Sequence, residues 1–131
     1  VPVVQVSLPL GALWESWRLG VALAPLRAGG ALLLGSGGSV HNLRALNLEG
    51  HTDDWATRFE GWLQRVVETG NPAELTRPDR QPREMGQAHP TLEHLAPLAM
   101  VWGSSGAGHK GRRVHSSFMY GNLGMSFFEF P

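Results

Sequence analysis

The stretch Ala31-Leu32-Leu33-Leu34-Gly35-Ser36-Gly37-Gly38-Ser39-Val40-His41-Asn42-Leu43 decides how the fold of this chain is read. An apolar run stops abruptly in glycine and serine, and the turn delivers one histidine and one asparagine. Short apolar runs bounded by such turns read as buried strands of a parallel sheet. In open α/β sheets, ligands sit in the crevice beyond the carboxyl ends of the strands. His41 is therefore expected to face the place where such a fold does its chemistry.

Upstream of this run, residues 1–8 are valine-rich and alternate, which predicts a strand. Trp14, Trp17, Val21 and Ala24 recur at helical spacing, and Pro25 followed by Gly29-Gly30 is expected to end that helix. Joined to the run 31–34, the order is β-α-β, which handedness makes right-handed and parallel. The expected class is thus α/β: a mixed, largely parallel sheet flanked by helices.

Downstream, Asp53 or Asp54 caps a helix running to Thr69, with Trp55, Phe59, Trp62, Leu63 and Val66 on its apolar face. Residues 70–88 are polar and rich in arginine and proline, and read as a long loop. Pro90 to His94 open another helix that continues through Leu95, Leu98, Val101 and Trp102. A glycine-rich turn spans 103–111, and residues 114–120 and 125–130 alternate like two further strands.

The 131 residues make one domain with enough chain to bury a core. A hydrophobic share of 42% with 17% charged residues argues against general disorder. The net charge of +0 gives no electrostatic footprint for nucleic acid or an anionic membrane. With Cys 0, disulfides, thiolate zinc sites and cysteine nucleophiles are excluded, which suits a cytoplasmic setting. Opening on Val1-Pro2-Val3, within an expected core strand, the sequence reads as part of something longer.

Histidines stand at 41, 51, 89, 94, 109 and 115, and none are paired at the His-x-x-x-His spacing of helical zinc proteases. His41 leaves a strand through glycines, either as a presented side chain or as a turn residue bonded to nearby backbone. His94, with Glu93 beside it, is either a site residue or an ordinary residue of a first helical turn. His89 precedes Pro90 and is expected to be extended and on the surface. His51, His109 and His115 read as loop or strand residues. The glycine loop lacks the ending of a phosphate-binding P-loop, the spacing of a dinucleotide fold and the Gly-x-Ser-x-Gly elbow of serine hydrolases. The tryptophans fall mostly on helix faces and read as core rather than as a base-stacking platform.

Taken in order, five segments resemble one family. They are Val3-Val4-Gln5-Val6-Ser7-Leu8; Leu19-Gly20 with Ala24-Pro25-Leu26-Arg27; Gly35 through Arg44 with its Val40-His41-Asn42-Leu43-Arg44 ending; Pro90-Thr91-Leu92-Glu93-His94; and Tyr120-Gly121-Asn122-Leu123-Gly124-Met125. The chain resembles the carboxy-terminal half of a class III extradiol ring-cleavage dioxygenase of the DOPA 4,5-dioxygenase type, across nearly all of its length. Members often carry proline where Leu92 stands.

The resemblance implies a non-haem metal site, Fe(II) or, in some members, zinc. It implies that His41 lies at the metal as ligand or acid–base group, and that His94 is a second metal-site histidine. Glu93 is an alternative ligand, since such irons often combine histidines with one carboxylate. Ser39 and Asn42 are the substrate-binding candidates beside His41, with Asn42 equally suited to a local turn bond. The implied partners are a catecholic small molecule and dioxygen.

The family's other two metal-site histidines lie in Gly-His-Gly-Ser-Pro-like and Ser-Ala-His-Trp-like segments, and neither is present here. The chain is accordingly expected to be incompetent alone, to form the C-terminal part of a larger domain, and to associate with a missing N-terminal half or a partner chain. The rival expectation is a non-catalytic binding or assembly module that keeps the fold.

Overall fold

A computed structural model of the chain describes every residue except Ala107. Ala107 falls in the glycine-rich turn expected over 103–111, and that part of the expectation lies outside the described residues. The described elements are mainly helical: α1 Leu13–Ala28, α2 Asp54–Thr69, α3 Pro72–Thr76, α4 Met85–Ala88 and α5 Ala96–Ser104. Four short strands follow, β1 Arg112–His115, β2 Phe118–Met119, β3 Leu123–Gly124 and β4 Phe127–Glu129.

The expected parallel sheet is not formed. The strands make two antiparallel pairs, β1 with β4 and β2 with β3, and an antiparallel bridge joins Val40 to Gly124. Residues 1–9 and 31–38 belong to no strand. The physical reason is that a strand is defined by its neighbour, whereas valine and leucine runs only make a segment suited to having one. Neither segment finds that neighbour, and most of their side chains stay in solvent, Val3 at 90% exposure and Leu32 at 81%, while Leu8 packs in part against the core.

Elements whose burial is local form as the sequence predicts. Along α2, Ala56, Phe59, Leu63, Val66 and Val67 make a buried stripe at helical spacing. The helix ends at Gly70, whose left-handed φ of 75° closes the last turn, with its N–H donating to Val66 and Val67 carbonyls. α1 passes through Pro25 and stops at Ala28, capped by the first glycine of the expected Gly29-Gly30 stop. The loop expected over 70–88 instead folds into α3, a 3-10 turn at Pro78–Arg80, and α4. Buried Leu75, Met85 and Ala88 anchor these turns to the core.

The core is organised by the crossing of α1 and α5. A Cβ added to Gly20 would land on the Met100 carbonyl, and one added to Gly103 on that of Trp17. The two backbones therefore meet directly, which only glycine permits. Trp17 meets Trp102 edge-on at 5.6 Å between ring centroids. Trp102 donates its indole N–H to the His109 carbonyl at 2.9 Å and stacks on Phe130 at 5.7 Å. The Arg27 guanidinium donates to the Phe130 carbonyl, tying the end of α1 to the last residues. No helix among the described residues is long and apolar enough to cross a membrane.

Candidate metal and substrate site

The glycine-serine stretch is a close-packed strip rather than a flexible turn. A Cβ at Gly37 would collide with the His94 carbonyl, and one at Gly35 with the Pro97 carbonyl at 2.7 Å. Small residues thus let the strip lie against the segment leading into α5. Beyond it the backbone is pinned from both sides. The Ser39 N–H donates to the Gly124 carbonyl, the Gly124 N–H returns to Val40, and the His41 N–H donates to Ala88 at 2.9 Å.

This pinning brings His41 and His94 together. Their imidazoles stack with centroids 3.4 Å apart and planes inclined by 17°. His94 stands in the turn before α5 rather than in a first helical turn, because that helix starts at Ala96. Burial, followed by the positive potential of His94, pushes the His41 pKa down, while Glu93 opposes the shift. His41 is therefore a neutral imidazole, and a base, at neutral pH.

The other expected residues are placed less uniformly. Ser39 is buried and commits its hydroxyl to the Glu60 carboxylate while accepting from the Ser126 N–H at 3.1 Å. Asn42 donates to the Gln87 carbonyl at 2.7 Å and accepts from the Arg44 N–H at 3.1 Å, capping a short 3-10 turn. Glu93 is exposed and accepts from the Thr91 hydroxyl at 2.7 Å, which holds its carboxyl below the usual range.

His89 overturns the surface reading. Its backbone, at φ −134° and ψ 85°, lies outside the helical region that the following proline disfavours, and only 3% of the residue is exposed. Its Nε2 lies 2.9 Å from the Ser39 carbonyl, so Nε2 carries the proton, and Nδ1 has no partner among the described residues. Burial drives its pKa down to about 4 against the opposing pull of the Ser39 carbonyl. Glu60 was also missed, although a carboxylate sits on the otherwise apolar stripe between Phe59 and Leu63. That misfit with the stripe is the signal that could have found it.

A cavity of about 770 Å³ opens beside the imidazole pair, walled by Leu33, Leu98, Val101, Met125, Phe128 and Phe130 among others. The donor chemistry suits a first-row metal, since imidazole and carboxylate both bind iron and zinc. The donor set is incomplete, because no group of three or more His, Cys, Asp or Glu among the described residues could hold an ion. Nitrogen lone pairs lie in the ring plane, and stacked rings do not aim them at one point at the ~2.0–2.1 Å of a metal–nitrogen bond.

The family described as the catalytic LigB subunit of aromatic ring-opening dioxygenase matches residues 1–129, and the chain belongs to it. Among its relatives is a protein of Beta vulgaris named 4,5-DOPA dioxygenase extradiol, 30% identical over 134 residues, covering 99% of this chain and 49% of the relative. A protein of the same name from Portulaca grandiflora is 31% identical over 136 residues, with the same coverage of 99% and 49%. The crystal structure of the uncharacterized protein JW3007 from Escherichia coli K12 superposes with a TM-score of 0.78 at 26% identity, over 90% of this chain and 50% of that one. The chain thus spans about half the length of the curated relatives it matches.

Proposed function

We propose that this chain supplies one half of an extradiol ring-cleavage site, in which His41 is the acid–base group and His94 a metal ligand. The reading is carried by one observation: two histidines 53 positions apart in sequence are stacked at 3.4 Å beside an apolar cavity in a LigB-family chain. Fe(II) is the proposed metal, with zinc as the alternative occupant and Glu93 as a further donor; the stacking with His94 leaves His41 to the acid–base role. When bound, such a metal would hold a catechol and dioxygen side by side and carry electrons between them.

The chain's own residues do the rest. An unprotonated His41 ring accepts a proton from a catechol hydroxyl and returns one as the ring opens beside the diol. The depressed pKa keeps that ring free to accept at neutral pH. The apolar wall receives the aromatic ring and excludes water from it. Ser39 shapes the pocket through its backbone, because its hydroxyl is already engaged by Glu60. Asn42 is proposed to steady the backbone beyond His41, given that both ends of its amide are committed.

Donors and walls still lacking are proposed to come from polypeptide beyond this stretch or from a partner chain, in an assembly of more than one subunit. The exposed valines and leucines of residues 1–9 and 31–38 support that reading. A cytoplasmic setting is part of the proposal, supported by the cysteine-free composition.

The test is oxygen uptake with catechols by the whole natural polypeptide that carries these residues, loaded with Fe(II). His41→Ala should lower turnover by roughly 10²–10⁴-fold, the usual worth of a positioned acid–base group. Undiminished turnover in that variant would remove His41 from the chemistry. The second reading, a binding or assembly module, is favoured by the incomplete donor set. It predicts no oxygen uptake with any catechol even when the whole polypeptide is metal-loaded.

A further inference from the structure

We infer that Glu60 is a positioning residue for His41, acting through Ser39 and Ser126 to hold the His41 backbone at the spacing that keeps its ring against His94. Glu60 is only 2% exposed, on a helix whose other buried positions are all apolar. A carboxylate costs several kcal/mol to bury unless its oxygens are well satisfied, and an apolar side chain would pack α2 at least as well. What the carboxylate bonds to is therefore informative.

Both oxygens are used, and they reach the two segments that frame the imidazole pair. Oε1 accepts from the Ser39 hydroxyl, two residues before His41. Oε2 accepts from the Ser126 hydroxyl at 2.6 Å and lies 3.8 Å from the Arg113 guanidinium. The Ser39 hydroxyl in turn accepts from the Ser126 N–H, closing a ring of bonds among the three residues. Between them Gly124 is pressed so tightly that a Cβ would strike Glu60 Oε1. On its other side, the Ser39 carbonyl takes the Nε2–H of buried His89. Ser39 is thereby gripped at its hydroxyl, its N–H and its carbonyl, leaving the following residues little room to drift. Such buried partners of site residues commonly matter about 10–100-fold in metal affinity or activity.

The inference rests on the reading of His41 and His94 as site imidazoles, and the test separates the two. In the whole natural polypeptide, metal-free and selectively labelled at histidine and tryptophan, the ring protons of His41 and His94 should give a strong NOE. Glu60→Gln keeps the volume but offers one acceptor and one amide, so both serine hydroxyls can no longer donate to it. It should abolish or sharply weaken that NOE and weaken Zn(II) binding about 10–100-fold, while the Trp17–Trp102 ring NOE persists.

Ser126→Ala removes a single bond to the carboxylate and should act in the same direction; it decides the matter if Glu60→Gln does not fold. Glu129→Gln, which breaks only the exposed pair with Arg112, should change neither signal. A His41–His94 NOE of undiminished intensity in the folded variants overturns the inference, as does its absence from the unsubstituted protein. If the unsubstituted protein binds no Zn(II), the metal-site reading fails, and the ring NOE alone then decides the role of Glu60.

Discussion

The α1–α5 crossing and the segments 1–7 and 31–34 are built from similarly apolar sequence, yet one is closed and the other open. At the crossing, glycines let two backbones touch, and tryptophans fill the remaining space. Along the extended segments, most valine and leucine side chains meet solvent, Val3, Val4, Leu32 and Leu34 among them. Hydrophobicity therefore does not separate the two regions; what does is whether the contact partner lies in the same stretch of chain. Helices satisfy their backbone within themselves and need only a face to pack, whereas extended segments need a second chain segment for every backbone bond.

Gly103→Leu should give the largest effect, because the new side chain would meet the Trp17 carbonyl and not a yielding side chain. A loss of at least about 3 kcal/mol is expected, at the upper end for overpacking, read as a lower urea midpoint. An unchanged midpoint would show that the crossing is looser than its glycines imply.

Acid sharpens the comparison on the closed side. His89 is held near a pKa of about 4, below the ordinary histidine value of 6.5, so the unfolded chain binds its proton more readily. The associated stability is fully present above pH 6.5 and is lost as pH falls toward 4, at up to about 1.4 kcal/mol per pH unit. His89→Gln should flatten that slope in urea titrations between those pH values. A slope indifferent to the substitution would mean that His89 is not the group taking up the proton.

The smallest effect should come from Val3→Ser within the 131 residues alone, under about 0.5 kcal/mol, as for other exposed positions. In the whole polypeptide the same change should cost about 1–3 kcal/mol if Val3 is covered there. Equal small costs in both settings would mean that the open face stays open.

These contrasts also explain what could be read from sequence. The helix α2 was legible because its buried stripe and its Gly70 stop are both local signals. The strands expected at 1–8 and 31–34 were not, since nothing in a run of valines states whether a neighbour is present. His41 and His94 were identified through the ordered segments of a family, and the contact between their rings depends on packing at Gly37 that no spacing rule reports. His89 was misread because the His-Pro rule fixes backbone conformation and says nothing of burial. The role of Glu60 depends on two serines far from it in sequence, and only the folded chain brings the three together.

Trp102 has 0% exposure, and its ring is covered by Phe130, whose carbonyl is gripped by Arg27. The molecule thereby carries an optical gauge of whether its closing segment is seated. Should residues 127–131 peel away, that indole would meet water and its fluorescence would shift to the red. A seating event at one edge could then be followed in real time without any added dye.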